Sequence, residues 1–295
     1  MAAMAAVHAA DYLSAGALLV VPTNRAAARA RRLLRSLRSR HGDEAGVLVA
    51  TPAEASRALA SGDLDAGQLR FLALDGADAT LVAGLEAEVL QLAGSLPPSA
   101  QRCITTSAAT PDVLDFAGRF LRQPVRVAAA AGEVALGGAR QYCVQVQQES
   151  RKFDALNVVY STLAVEQGVV FCESRRRCEW LADQLLKMGL EVYCVHQACT
   201  ADARDEILSE FRLSSPAILV SLGRLAPDLD LEHVSLVVNY DLPHRPCEYA
   251  RQMHVAGRSV AISFARQEDG EALRRIEAIF AIRIDELPID IADLL

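Results

Sequence analysis

The chain has 295 residues, of which 52% are hydrophobic and 23% are charged, a balance that is typical of folded globular proteins and excludes a disordered chain. Its length exceeds that of one average domain and predicts two hydrophobic cores. The formal net charge of −7 excludes a general attraction to nucleic acid, so any such binding depends on local features.

The sequence gives no sign of a membrane span or of export. Its apolar runs are all shorter than the roughly 20 residues that cross a bilayer. The Ala-rich residues 1–16 lack the Arg content of a transit peptide and the cationic flank of a secretory signal. Seven cysteines without disulfide-framework spacing indicate a reducing compartment. We therefore expect a soluble protein of the cytoplasm or the nucleus.

Short β-branched runs alternate with helix-period segments along the chain. The predicted strands are residues 17–21, 46–51, 69–74 and 103–107, then 168–172, 191–196, 217–222, 234–240 and 259–264. This alternation predicts parallel sheets with helices on their faces. Between the two groups, residues 129–138 are rich in Ala and Gly and predict a linker. The expected domains are therefore residues 1–128 and 139–295.

The segment from Asn24 to Arg40 predicts an amphipathic helix with seven arginines and no acidic residue. Its predicted apolar residues are Ala26, Ala27, Ala30, Leu33, Leu34 and Leu37. A cationic helix face of this kind is usually only solvated. However, the helix follows the first predicted strand, so its N-terminus and Thr23 would lie at the carboxyl edge of the sheet, where phosphates bind.

One histidine and four cysteines lie close together in the second half of the sequence. They are Cys172, Cys178, Cys194, His196 and Cys199. A metal site would need closely paired ligands, and no Cys-x-x-Cys pair is present. Several of these residues fall in strand-like apolar runs, so the pattern favours buried thiols of the core and no metal.

Ordered motifs link the two halves to a known family. The first half contains VPTNR from Val21, ATPAE from Ala50, LRFLALDGAD from Leu69 and CITTSAATPD from Cys103. The second half contains VVFCESRRRCEW, HQACTADARDEILSEFR, VSLVVNYDLP and IDELPIDIADLL. In this order and spacing they resemble the motifs of DEAD-box RNA helicases, in the subgroup of translation initiation factor 4A and its exon-junction paralogue. The resemblance runs from about residue 17 to the end.

The resemblance implies an α/β fold with two RecA-like domains built on parallel sheets. We expect the first domain to be truncated, without its P-loop strand and a further strand before Gly46. This sequence contains no Gly-Lys-Thr loop to cradle phosphates. The motif that reads adenine is missing as well.

The resemblance also implies ATP and Mg²⁺ as cofactors and assigns remnants of their site. The catalytic remnants are Asp75, Asp78 and Arg258, and the nucleotide-contact remnants are Ser107 and Asp230. Each acidic remnant also has a purely structural interpretation, with Asp75 and Asp78 capping the next helix and Asp230 bracing a loop.

The departures from the family pattern predict an inactive enzyme of helicase ancestry. The glutamate that positions attacking water is Gly76, and one of two arginine-finger positions is Val255. The threonine of motif III is Ala109. In motif V, the family's Thr, Asp, Arg and Gly are replaced by Leu222, Gly223, Pro227 and Asp228. We therefore expect neither ATP nor metal to be bound.

Positions that contact RNA phosphates in the family are better kept. They are Thr23, Thr51, Ser174, Arg175 and Arg204. In the family these contacts use hydroxyls and arginines without reading bases. Arg204 can equally be an ordinary exposed helix residue. Three further positions depart from the pattern, because motif Ia has Asn24 and motif Ib has Glu54 in place of arginine, and Ala201 replaces the glutamine before Arg204.

Three hypotheses for function follow. The first is a degenerate helicase-like protein that binds RNA or a protein scaffold of the translation or exon-junction type. The second is a working ATP-dependent RNA helicase of translation initiation or RNA processing, of which this sequence is a truncated part. The third is an unrelated α/β binding protein, and a pseudogene product is a further alternative.

Overall fold

The computed structural model describes residues 16–41, 47–106, 108–127, 136, 138–229, 231, 234–288, 290–291 and 294. The chain divides into two compact units between residues 128 and 129. Of the predicted linker, only Leu136 and Gly138 belong to the described residues. In the part of the chain that is described, no helix is long and apolar enough to cross a membrane.

The described residues of the first unit form a four-stranded parallel sheet with the strand order β2-β1-β3-β4. Its strands are β1 (Gly16–Val20), β2 (Val47–Ala50), β3 (Leu69–Asp75) and β4 (Gln101–Thr105). Its helices are α1 (Asn24–His41), α2 (Pro52–Ser61), α3 (Ala77–Val82), α4 (Glu86–Gly94) and α5 (Pro111–Phe120). A helix therefore follows every strand, as parallel pairing requires.

The amphipathic helix α1 packs on this sheet through three of its predicted apolar residues. Ala27, Ala30 and Leu34 are buried against strands β1, β2 and β3, with the i, i+3, i+7 spacing of one helix face. Ala26 is only partly buried. The side chains of Leu33 and Leu37 lie outside the described residues.

The second unit contains a seven-stranded parallel sheet among its described residues, in the order β11-β5-β10-β9-β6-β8-β7. Its strands are β5 (Arg140–Gln145), β6 (Gln167–Cys172), β7 (Val192–Val195), β8 (Ala217–Leu222), β9 (Leu236–Asn239), β10 (Val260–Ala265) and β11 (Asp285–Glu286). Its helices are α6 (Arg151–Thr162), α7 (Arg175–Lys187), α8 (Ala201–Leu213), α9 (Ala226–Leu229), α10 (Pro246–Ala256) and α11 (Gly270–Phe280). The predicted α/β class with parallel sheets is confirmed.

Two strands of the second unit escaped prediction. Strand β5 has the sequence RQYCVQ, and all but one of its residues are at least partly exposed. Its polar residues interrupt the continuous apolar run that is typical of a buried strand. Strand β11 has only two residues, which pair with β5. Both strands lie at one end of the sheet, where one-sided packing tolerates polar residues.

Strand β4 begins and ends two residues earlier than predicted. Its register pairs Phe71 with Gln101 and Asp75 with Thr105. Thr105 therefore ends the strand next to Asp75, and the motif III residues follow in the loop. Because of this shift, the hydroxyl group that lies beside the motif II carboxylate of Asp75 is that of Thr105.

Strand β6 occupies the centre of the second sheet, between β9 and β8. The chain leaves β6 toward β7 on one side, whereas β9 leads to β10 on the other side. The winding direction thus changes between β6 and β9. In open α/β sheets, the carboxyl ends of such neighbouring strands border the ligand-binding crevice.

Candidate nucleotide and nucleic-acid sites at the strand ends

The carboxylate of Asp75 lies at the end of β3 and accepts a short hydrogen bond from the Thr105 hydroxyl at the end of β4. The backbone N–H of Gly76 donates to the carbonyl oxygen of Thr105 at 3.1 Å. Asp75 therefore does not cap the next helix, which corrects the structural interpretation considered for it. Its carboxylate instead ties two neighbouring strand ends together.

Gly76 separates strand β3 from helix α3 in a left-handed backbone conformation, with φ 84° and ψ 64°. It occupies the N-cap position of α3 without any side-chain cap. Asp78, in the first turn of α3, is completely buried. Asp78 thus lies inside the first turn of the helix, two residues after the N-cap position.

These residues do not fit a magnesium-bound nucleotide. A magnesium shell needs accessible oxygen ligands, but Asp78 is 0% exposed and position 76 has no side chain. Asp75 retains a carboxylate, which already accepts the Thr105 hydroxyl. In the residues that the structure describes, no group of three or more His, Cys, Asp or Glu side chains is arranged to hold a metal ion.

The remaining predicted nucleotide-site residues are scattered. Ser107 and Asp230 lie outside the described residues. Arg258 is exposed and lies two residues before β10 begins, hence at the amino edge of the second sheet. Val255 is half-buried near the end of α10. The structure does not bring Arg258 to the carboxyl edge, where Ser174, Arg175 and Arg204 lie.

The motif V position Gly223 faces two polar side chains of helix α10. A Cβ atom added at Gly223 would lie 2.3 Å from Glu248 Oε1 and 2.4 Å from Gln252 Nε2. Gln252 is 2% exposed, and burial raises the pKa of Glu248. The space of the family's aspartate is therefore filled by α10.

Two predicted RNA contacts in the first unit are helix N-caps. The Thr23 hydroxyl accepts the backbone N–H of Ala26 at 3.1 Å. The Thr51 hydroxyl accepts the backbone N–H of Glu54 at 3.3 Å, and the Glu54 carboxylate accepts the backbone N–H of Thr51 at 2.9 Å. The latter is a reciprocal capping box. Because β1 and β2 pair in parallel, both hydroxyls lie at adjacent strand ends.

The charge of Glu54 is compensated by its neighbours. Arg31 of α1 lies 3.4 Å from Glu54 Oε2 and donates to the carbonyl oxygen of Val49 at 2.9 Å. The hydrogen bond from the Thr51 backbone, together with Arg31, lowers the pKa of Glu54. Glu54 therefore acts in the cap of α2, and its repulsion of a phosphate is reduced.

The capping carboxylate makes stability depend on pH. Since the folded state lowers the pKa of Glu54, its contribution is complete at neutral pH and is lost as the pH falls through that pKa. We expect Glu54→Gln, which keeps an acceptor in the box, to be less stable than wild type at pH 7 by about 0.5 kcal/mol. The difference should vanish between about pH 5 and pH 3 in urea denaturation, and a difference independent of pH would contradict this role.

The predicted contacts of the second unit lie after strands β6 and β7. The Ser174 hydroxyl caps α7 by accepting the backbone N–H of Arg177 at 3.3 Å. Arg175, the first residue of α7, is exposed and donates to Glu179 at 2.7 Å. Arg204 is half-buried in the first turn of α8, which corrects its interpretation as a fully exposed helix residue.

A cap does not exclude a phosphate contact. A hydroxyl group has one proton to donate and two lone pairs to accept with. In Thr23, Thr51 and Ser174 the cap uses a lone pair, so the O–H proton is still able to donate to a phosphate oxygen. The two interpretations of these residues are therefore compatible.

A buried charge network at the switch between β6 and β9 was missed by the sequence analysis. Asp241, just after β9, accepts Lys152 Nζ at 3.1 Å and the backbone N–H of Glu173 at 2.9 Å. Arg177 of α7 also binds Asp241 and lies 2.8 Å from Glu149. The side chains of Lys152 and Asp241 are only 3% and 8% exposed.

This network fixes four segments to one another at the carboxyl edge. Although burial opposes its charge, the Arg177 guanidinium has a raised pKa because Asp241 and Glu149 stabilise the charged form. The partners are up to 92 positions apart in sequence, from Glu149 to Asp241. The sequence offers two signals of this network, which are Lys152 in the helix after β5 and Asp241 after the apolar strand β9.

The architecture of both units matches solved helicase-type structures. S. cerevisiae Dbp5 bound to RNA and ADP BeF3 superposes with a TM-score of 0.77 over 95% of this chain and 79% of that one, at 22% identity. A DEAD box protein from the hyperthermophile Methanococcus jannaschii gives 0.52 over 93% and 80%, at 21% identity. The units are RecA-like α/β domains.

Sequence comparison gives the family. The model of the helicase conserved C-terminal domain matches residues 151–262. ATP-dependent RNA helicase FAL1 of Phaeosphaeria nodorum is 34% identical over 253 residues, which cover 84% of this chain and 68% of that protein. For ATP-dependent RNA helicase eIF4A of Coccidioides immitis, the identity is also 34%, over 84% of this chain and 64% of that protein.

The chain belongs to the DEAD-box family of RNA helicases. It spans roughly two thirds of the length of these relatives, between 64% and 68%. The family resemblance and the RecA-like fold expected from the motifs are confirmed.

Proposed function

We propose that this chain is a DEAD-box family protein without ATPase or unwinding activity, which acts as an RNA-binding module. The observation that carries the proposal is Gly76. It stands where the family has the water-positioning glutamate, in a left-handed turn directly after β3. A glycine offers no carboxylate to orient or deprotonate water.

Other positions support the loss of hydrolysis. Val255 replaces one arginine finger, and an apolar side chain cannot stabilise charge on a transferring phosphoryl group; such an arginine contributes about 10³ to 10⁵ in rate. Asp78 is buried and Asp75 is bound to Thr105. The proposed remnants Asp75, Asp78, Arg258, Ser107 and Asp230 therefore hold neither ATP nor Mg²⁺ in this proposal.

RNA binding is supported by the groups at the carboxyl ends of the strands. The first unit offers the hydroxyls of Thr23 and Thr51, and the second offers Ser174, Arg175 and Arg204. Hydroxyls and arginines at helix N-termini bind phosphates without reading bases. We infer that the protein binds single-stranded RNA by its backbone, independently of nucleotide.

An RNA-stimulated ATPase assay tests the loss of hydrolysis. We expect phosphate release with ATP, Mg²⁺ and single-stranded RNA to equal that of a buffer control. The Coccidioides immitis eIF4A relative, assayed in parallel, serves as the reference for an enzyme named an ATP-dependent RNA helicase. Phosphate release that rises on adding RNA would refute the proposal.

RNA binding is tested with arginine variants. We expect Arg175→Ala and Arg204→Ala each to weaken binding of a labelled single-stranded RNA several-fold. Each should also reduce the slope of log affinity against log salt by about 1, because one phosphate contact is lost. Fluorescence anisotropy at about 50 mM and about 200 mM salt measures both quantities.

Lys187→Ala is the matched control for these variants. Lys187 lies at the opposite end of α7 from Arg175 and is 64% exposed, so its removal changes the net charge equally without affecting the carboxyl edge. The control should bind like wild type. If all three variants weakened binding equally, a general charge effect would replace the proposed site. If wild type bound no RNA, a protein scaffold would be the partner to test.

The alternative is an ATP-dependent RNA helicase active in translation initiation or RNA processing. The names of the relatives favour it, since both are ATP-dependent RNA helicases. It requires a phosphate-binding loop beyond the residues of this sequence and hydrolysis without a carboxylate at position 76. RNA-stimulated phosphate release and nucleotide-dependent RNA binding would support it.

A further inference from the structure

A cysteine, a histidine and a glutamate form a continuous array beside strand β7. The Cys199 sulfur lies 3.6 Å from Nδ1 of His196. On the other side of the imidazole, Nε2 of His196 lies 3.2 Å from Oε1 of Glu179. Nucleophile, base and orienting carboxylate thus follow one another in the order used by nucleophilic catalysts.

The hydrogen bonds define the tautomer of His196. The backbone N–H of Ala198 donates to Nδ1 at 3.3 Å, so Nδ1 has a lone pair and the proton of the neutral ring is on Nε2. Nε2–H then donates to Glu179. The Cys199 sulfur lies 3.6 Å from the same nitrogen, so the Nδ1 lone pair is shared between the Ala198 N–H and the thiol, whose proton it can accept.

A charged pair and a helix N-terminus border the array. Arg175 donates to Glu179 at 2.7 Å, and this hydrogen bond lowers the pKa of Glu179. A charged carboxylate stabilises a protonated imidazole. Cys199 also directly precedes Thr200, the N-cap of the 13-residue helix α8, so it lies beside the positive end of that helix dipole.

Other ionisable groups near the array lie on β7 and in the first turn of α8. Strand β7 contributes Cys194, whose pKa burial raises to about 12. The first turn of α8 carries Asp202 and Arg204, with opposite charges. His196 is 14% exposed, and Cys199 is partly exposed, so a small reagent can reach the sulfur while the imidazole stays mostly covered.

We propose that Cys199 is a nucleophilic thiol and a site of oxidation by hydrogen peroxide, with His196 as its base and Glu179 as a positioning residue. The sulfur attacks one peroxide oxygen, an S–O bond forms and the O–O bond breaks. Sulfur is oxidised to sulfenic acid and the departing oxygen is reduced to water, taking the proton held by His196. The sum is one thiol and one peroxide giving one sulfenic acid and one water.

Cysteine-resolved labelling tests the proposal. The native full chain is treated with limiting iodoacetamide at pH 7, and the rate at each cysteine is read by mass spectrometry of its peptides. Cys103 and Cys194 are also partly exposed, and among the described residues neither has a hydrogen bond to an imidazole, so they are internal references. We expect Cys199 to react about tenfold faster or more than either reference. Equal rates would overturn the proposal.

Variants distinguish acceleration of the Cys199 reaction by His196 from simple exposure of the Cys199 sulfur. His196→Gln should slow alkylation of Cys199 about tenfold, whereas Glu206→Gln, an exposed change on α8, should leave the rate unchanged. Glu179→Ala should slow it several-fold, and Glu179→Gln should restore part of the rate because its amide oxygen still accepts Nε2–H. Far-UV circular dichroism verifies that each variant is folded. A wild-type rate in His196→Gln would contradict the role of the base.

Oxidation of Cys199 is measured separately, by chemical trapping of the sulfenic acid. After treatment with hydrogen peroxide, dimedone should trap a sulfenic acid on the peptide containing Cys199, and the adduct should be absent from Cys199→Ser. The adduct should fall about tenfold in His196→Gln. Equal dimedone labelling of Cys103, Cys194 and Cys199 would show ordinary surface oxidation and overturn the assignment.

Discussion

Asp241→Ala is expected to lower the free energy of unfolding by about 3 to 5 kcal/mol. The substitution removes the shared acceptor of Lys152 and Arg177. Lys152, 3% exposed, would keep its contact of 3.1 Å with Glu149 and its position 5.6 Å from the centre of the Tyr240 ring, but it would lose the carboxylate that is buried with it. Urea denaturation followed by the emission of Trp180, the only tryptophan of the chain, measures the loss in the second unit.

An exposed ion pair on α6, the helix that also carries Lys152, provides the control. Asp154 lies 3.0 Å from Arg151, with side chains 61% and 70% exposed. Such surface pairs contribute about 0 to 1 kcal/mol, so Asp154→Ala should change the stability little. The double variant Lys152→Met/Asp241→Leu should recover much of the loss, because no unpaired charge is left buried. Equal effects of Asp241→Ala and Asp154→Ala would contradict the network.

Phe116→Ala should destabilise the first unit by about 3 to 5 kcal/mol. Phe116 is completely buried in α5 and stacks on Phe120 with ring centroids 5.8 Å apart. Truncation leaves a cavity that the packed helix cannot close. Since Trp180 belongs to the other unit, hydrogen exchange of peptides from β3 and β4 is the suitable measurement.

Leu114 of the same helix is the matched control for this cavity. It is 38% exposed, so Leu114→Ala removes little buried surface and should change stability by less than about 1 kcal/mol. Strong protection of β3 in Phe116→Ala would show that the four-stranded sheet does not depend on α5.

The strands were largely predictable because buried parallel strands are short continuous apolar runs. Residues 217–222 were predicted with the observed ends, and the strands β1, β3 and β6 to within one residue. The ends of strand β4 were predicted two residues too late, because they depend on its pairing register with β3. No local sequence pattern encodes that register. Strands β5 and β11 were missed because their polar residues lie at the edge of the sheet.

The candidate sites were less predictable than the fold. The motifs located Thr23, Thr51 and Ser174 at strand ends, but only the structure shows that their hydroxyls cap helices. Cysteine spacing favoured thiols buried in the core. This is correct for Cys172 and Cys178, but Cys199 is partly exposed beside His196. Glu179, on a different helix, completes the array, and such a contact is set by tertiary packing.

The two glycines at lost motif positions have a consequence for evolutionary reversal. Glutamate at position 76 would have to adopt a left-handed backbone, at a cost of about 1 to 2 kcal/mol. Aspartate at position 223 would collide with side chains that now occupy its volume. The first reversion therefore carries a backbone cost, and the second requires Glu248 and Gln252 to shift. If hydrolysis has been lost as proposed, neither substitution alone would restore it, because Val255 would still replace an arginine finger.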